Sequence, residues 1–177
     1  MSRFPSLRDH ATVIDVFGLD TALTRPIMEY HEILLRGDSP LTVAERELIA
    51  AYVSGVNHCR FCHAAHTAVA ERYGIEHGLV AQFLADPRHP AMSTRLRPLL
   101  TYVRKLTEQP DSVIDADAQA VFAAGWDERA LHHAIHVCAL FNFMNRLVEG
   151  HGIGPISERI AAQLAEQLHA GGYLQFT

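Results

Sequence analysis

Apolar positions recur at helical spacing along almost the whole chain of 177 residues, and no stretch alternates apolar and polar residues with a period of two. The pattern predicts an all-α fold. A first helix is expected over about 20–36, stopped by Gly37. The next start is marked by Thr42 as N-cap with Glu45 three residues later, a capping box that follows Pro40. That helix, VAERELIAAYVSGV, should end near Gly55, with Asn57 also suited to a turn. A second helix then covers about 58–73 and is closed by Gly74. Shorter helices are expected near 76–84 and 93–108, the first broken by Asp86-Pro87 and the second ending before Pro110. Asp115 is expected to cap a helix over 116–124, and Asp127 one over 128–148. After Gly150, Gly152 and Gly154-Pro155, a last amphipathic helix covers 157–169. No Pro-, Gly- or Ser-rich linker and no internal repeat divides the chain, so residues 1–177 are expected to form a single-domain helical bundle.

Composition narrows the function classes. With 49% hydrophobic and 20% charged residues the chain is an ordinary globular sequence, long enough for one sizeable core. A formal charge of −5 supplies no basic footprint for nucleic acid. No segment reaches the roughly 18 apolar residues of a membrane span, and the N-terminal stretch lacks the apolar run of a signal peptide. The expected setting is the cytoplasm, without membrane or nucleic-acid partners. Three cysteines are too few for a disulfide framework, so a close pair in a reducing compartment reads as catalytic or metal-binding.

That pair is Cys59-Arg60-Phe61-Cys62, with His66 four residues beyond. At about 100° per residue the three side chains fall within roughly 60° of arc on one helix face. Cys59 would lie at the helix N-terminus, where free N–H groups and the dipole favour a thiolate. Cys62 and His66 stand at i, i+4, close enough for proton transfer. Glu47 would lie about 18 Å from Cys59 on one straight helix. If the chain instead folds back near Gly55–Asn57, Glu47 and His66 are equidistant from the pivot and face each other. Glu47 would then raise the basicity of His66, and His66 would activate a cysteine.

Other chemistries share these letters. Cys59, Cys62 and His63 spell the C-x-x-C-H of a c-type haem site, but no export signal accompanies it. Cys59, Cys62 and His66, with His58 or His63, offer zinc ligands, although His63 points away from the cysteine face. Cys138, in the apolar run IHVCALF, reads as a core thiol. His132, His133 and His136 have no acidic partner and read as helix-packing or interface residues. Asn142, Asn145 and Arg146 are polar positions in an apolar helix, able to brace the cysteine helix or line a pocket.

The segment AERELIAAYVSGVNHCRFCHAAHTAVA closely resembles the signature of the alkylhydroperoxidase D-like (carboxymuconolactone decarboxylase) superfamily. The resemblance spans about residues 40–74, the redox core. ALFNFMNRLVEGHGI, among the C-terminal helices of about 127–170, is similar to the peroxidase-related branch. The resemblance implies an all-α thiol peroxidase, typically homo-oligomeric and without cofactor or metal. Cys62 would attack the peroxide and become a sulfenic acid, Cys59 would resolve it to a disulfide, and Glu47 and His66 would relay protons. A lipoyl or thioredoxin-like dithiol protein would restore the thiols. One position departs from the pattern: Phe61 stands where the superfamily's name-giving enzymes carry a histidine, which removes one proton-handling group. The decarboxylase branch lacks the C-x-x-C pair. The alternatives from other classes are a non-enzymatic redox-sensing or binding protein and a structural zinc site.

Overall fold

Helix α3, Val43–Val56, is buried on every side from Arg46 to Gly55, and the rest of the molecule is arranged around it. A helix apolar all round can be stable only inside a core. Leu48, Ile49, Tyr52 and Val53 are fully enclosed, packed by α2 (Thr21–Arg36), α4 (Arg60–Arg72), α5 (Leu79–Ala85), α6 (Leu96–Glu108) and α8 (Glu128–His151). The remaining helices are α1 (Val13–Phe17), α7 (Asp115–Ala123) and α9 (Glu158–Gly171), with 3-10 turns at Pro110–Ser112 and Leu174–Phe176. The computed structural model describes residues 3–176, and among them there is no β-strand and no helix long and apolar enough to cross a membrane.

The caps read from sequence set most boundaries. Thr42 and Glu45 form their capping box, with the Thr42 N–H donating to the Glu45 carboxylate at 2.8 Å and the Glu45 N–H donating to Thr42 Oγ1 at 3.2 Å. Asp127 accepts the Ala130 N–H at 2.7 Å and starts α8. That helix runs three residues past the expected end at 148, to His151, because the glycine that closes it is Gly152, at φ 71°. Asp115 is not the cap of α7: it lies in the first turn, and Asp117 instead accepts the Ile114 N–H at 2.9 Å. Helix α1 was not expected, since five residues carry too little periodicity to register.

The buried side chains divide into a main core and a smaller cluster. The main core includes α3 and Cys138. The smaller one joins Val16 of α1, Cys59, Phe61, Cys62, Val148 of α8 and Ile153 just beyond that helix. The cysteine pair therefore lies beside the core proper, under a short N-terminal helix.

Candidate active site

The turn between α3 and α4 fixes the first cysteine. Asn57 caps α3, and His58 follows at φ 58°, a left-handed position usually given to glycine. The Cys59 N–H then reaches back to the Ser54 carbonyl at 2.9 Å, and the His58 N–H to that of Gly55 at 3.0 Å. Cys59 thus ends the α3 cap and is itself the N-cap of α4. Two asparagines of α8 hold this turn. Asn57 Nδ2 donates to Asn142 Oδ1 at 3.1 Å and to Asn145 Oδ1 at 2.9 Å, while Asn145 Nδ2 donates to Ser54 Oγ at 2.9 Å. The hairpin closes tightly at Gly55, where an added Cβ would meet Leu84 at 2.6 Å and His63 at 3.0 Å. His63 is pinned across the hairpin, its Nδ1 2.9 Å from the Ala51 carbonyl, and faces away from the thiols.

The fold-back brings Glu47 to His66. Glu47 is fully buried, and its Oε2 accepts His66 Nδ1 at 2.7 Å. Its Oε1 accepts Arg36 Nη1 at 2.6 Å and the Tyr173 hydroxyl at 2.9 Å. Burial alone would raise the Glu47 pKa; the His66 hydrogen bond and the nearby cations outweigh it and hold the carboxyl below its ordinary value. The other guanidinium nitrogens of Arg36 have no hydrogen bond, and the group lies 5.1 Å from the Tyr73 ring centroid and 4.9 Å from that of Tyr173. Sequence reading missed Arg36 and Tyr173. Arg36 comes from the last turn of α2, and Tyr173 enters through a turn at Gly172 (φ 65°), latched where Glu32 accepts the Tyr173 N–H at 2.6 Å.

The thiols show a different pattern. Cys59 is 0% and Cys62 4% exposed, and no disulfide joins them in the structure. The Cys62 thiol lowers the pKa of Cys59; burial opposes it, and the Cys62 backbone N–H adds to it. The Cys59 sulfur, followed by burial, raises that of Cys62. Of the two thiols, Cys59, at the helix N-terminus, is therefore the one that ionises more readily.

Cys62 and His66 both line a narrow, partly enclosed cavity of about 60 Å³. Its walls are otherwise almost wholly apolar, including Phe17, Phe61, Phe141, Met144 and Leu168. Cys59 does not reach the cavity. It precedes the helix with an extended ψ of 92°, so the helical phase that groups it with Cys62 and His66 does not begin at its position. Nor does His66 bond to a thiol: its hydrogen bond is to Glu47, and its ring rests against Phe141 at 4.4 Å. Among the described residues no three His, Cys, Asp or Glu side chains are grouped to hold a metal ion. Of the α8 histidines, His133 bonds Ser39 Oγ at 2.9 Å, His136 bonds the Tyr30 hydroxyl, and His132 packs on His136.

Comparison with known proteins agrees with this picture. Residues 21–87 match the carboxymuconolactone decarboxylase family, a span that contains Glu47, Cys59, Cys62 and His66 but not α8 or Tyr173. No curated protein matches the chain. An uncharacterized peroxidase-related protein from Silicibacter sp. TM1040 is 25% identical at a TM-score of 0.76, over 82% of this chain and 76% of that one. The alkylhydroperoxidase AhpD core of an uncharacterized peroxidase-related protein from Ralstonia eutropha JMP134 is 23% identical at a TM-score of 0.78, over 93% and 96%. A protein of unknown function from Agrobacterium tumefaciens shares the fold at 17% identity and a TM-score of 0.74, over 84% and 100%. Residues 21–87 are thus similar to the carboxymuconolactone decarboxylase family, and the chain as a whole shares the all-α fold of these alkylhydroperoxidase-like structures.

Proposed function

We propose that this protein is a thiol peroxidase that reduces organic hydroperoxides through a Cys59/Cys62 dithiol–disulfide cycle. The observation that carries the reading is that Cys62 and the Glu47-anchored His66 face one apolar cavity. An apolar hydroperoxide fits such walls, and the reacting groups there are shielded from water.

The arrangement supports a balanced sequence. Cys62 passes its proton to the Cys59 thiolate as its sulfur attacks the terminal peroxide oxygen. The S–O bond forms, the O–O bond breaks, and the departing alkoxide takes a proton from His66 Nε2 to leave as an alcohol. His66 Nδ1 stays hydrogen-bonded to Glu47 throughout this step, which holds the ring in place. This assigns His66 to the leaving group rather than to the thiol, in accord with its lack of a bond to sulfur. Cys59 then attacks the Cys62 sulfenic acid; a disulfide forms and hydroxide leaves with the Cys59 proton as water. A dithiol donor of lipoyl or thioredoxin-like chemistry reduces the disulfide and is itself oxidised. The superfamily's usual homo-oligomeric assembly belongs to the same proposal.

The test is stoichiometric. One equivalent of cumene hydroperoxide should consume two thiols and yield one equivalent of cumyl alcohol within seconds, and a reduced dithiol should make the reaction catalytic. Two thiols lost without turnover under any dithiol would point to a redox sensor; thiols that stay unreactive would refute the peroxidase.

A further inference from the structure

The cavity holds a second imidazole that the reaction above does not use. His31 of α2 is 2% exposed and lines the same cavity as Cys62 and His66. Its ring centroid lies 5.9 Å from that of Phe141, on which His66 also rests, and 5.1 Å from that of Tyr173, which bonds Glu47. We propose that His31 is the hydroperoxide-binding residue of this cavity: its Nε2 accepts the O–H of the substrate and turns the terminal oxygen toward Cys62. This rests on the peroxidase reading and names the feature of the substrate that the site recognises.

The tautomer follows from one contact. His31 Nδ1 is 2.8 Å from the carbonyl oxygen of Ile27, one turn back on its own helix. A carbonyl oxygen only accepts, so Nδ1 carries the proton and Nε2 is left with a lone pair. Nε2 makes no hydrogen bond among the described residues, so its lone pair is open to a ligand O–H in the apolar cavity that His31 lines. Burial drives the His31 pKa down to about 4; the Ile27 carbonyl and Glu47 oppose this, and His66 and Arg36 add to it. The ring therefore stays a neutral acceptor at physiological pH.

A hydroperoxide matches the two imidazoles atom by atom. Its terminal oxygen carries a hydrogen for His31 to accept, and its inner oxygen becomes the alkoxide that His66 protonates. His31 keeps the same proton throughout, so it adds no proton to the balance. It supplies alignment, and it also selects for ROOH over dialkyl peroxides, which have no O–H. The histidine absent at Phe61 is in this sense replaced from another helix.

The experiment compares His31→Phe, which removes the acceptor, with His31→Gln, whose side-chain oxygen reaches the same position. In stopped flow, His31→Phe should slow Cys62 oxidation by cumene hydroperoxide roughly tenfold to a hundredfold, and His31→Gln should recover most of it. The same thiol's reaction with methyl methanethiosulfonate, which has no O–H to hold, should change less than about twofold. Unchanged hydroperoxide rates, or equal slowing with both reagents, would overturn the assignment. A second readout is independent of turnover: in Cys62→Ser, cumene hydroperoxide should shift the ¹⁵N resonance of His31 Nε2. A shift in a protein whose wild type does not oxidise would sink the peroxidase and keep the His31 site. No shift would sink the site whatever the rates.

Discussion

Cys62 and Cys138 are both buried helical thiols, 4% and 0% exposed, and in both burial helps to raise the pKa. Their surroundings differ in kind. Cys138 belongs to the main core, with Thr107 Oγ1 at 3.3 Å and the Val103 carbonyl at 3.5 Å. Neither neighbour accepts a proton from the thiol permanently, and Cys138 does not line the cavity that Cys62 lines. Cys62 has a second sulfur able to take its proton and an apolar cavity that leads to its own. On the proposed reading, the difference teaches that burial does not set the two thiols apart; the proton acceptor and the access do.

The largest effect should come from breaking that asymmetry directly. Cys62→Ser is expected to slow hydroperoxide-driven thiol loss roughly a thousandfold or more. Cys138→Ser should leave the rate within about twofold, since its site has no part in the chemistry. Rapid-quench thiol titration distinguishes them.

Next comes Glu47→Gln. It leaves the Arg36 charge buried without its counter-ion and His66 without its carboxylate. The expected result is a loss of about 4 kcal/mol in urea unfolding. Peroxide reduction should also slow about tenfold to a hundredfold, read by stopped flow on the fraction that remains folded. A variant with full activity would show that the Glu47 cluster serves packing alone.

Acid should weaken the molecule through His31. Its folded pKa of about 4 lies below the ordinary value of 6.5, so the unfolded chain binds the proton first as pH falls. The stability from this group is complete above the unfolded value and is lost as pH falls toward the folded one. Between pH 7 and 5 the wild type should lose about 2 kcal/mol more than His31→Phe, measured by chemical denaturation at each pH. Equal slopes would mean that His31 is not held neutral by the fold. The smallest effect is expected of Asn145→Ala, which removes one of the two hydrogen bonds of Asn57 Nδ2 and the Asn145 donor to Ser54 Oγ at the cysteine turn. It should cost about 1–2 kcal/mol and leave Cys138 alkylation in the native state unchanged.

The fold-back was legible because its signals are local. Thr42 and Glu45 start α3, the residues at 55–57 stop it, and helical arithmetic brings Glu47 opposite His66. The partners of Glu47 were not legible, because they come from α2 and from the C-terminal turn, and no local pattern links Arg36 or Tyr173 to residue 47. His31 was hidden for the same reason: its spacing to the cysteines has no periodic meaning. The helical phase also misled at Cys59, whose side chain belongs to a cap rather than to the helix. Phase arguments hold only from the first helical residue onward.

The most direct test of the central claim is to trap the first oxidised sulfur. In Cys59→Ser, one equivalent of cumene hydroperoxide followed by dimedone should label Cys62 as the sulfenic acid, identified by tandem mass spectrometry, with Cys138 unlabelled. Label on Cys138, or none on Cys62 while Cys62→Ser shows rapid labelling of Cys59, would contradict the account.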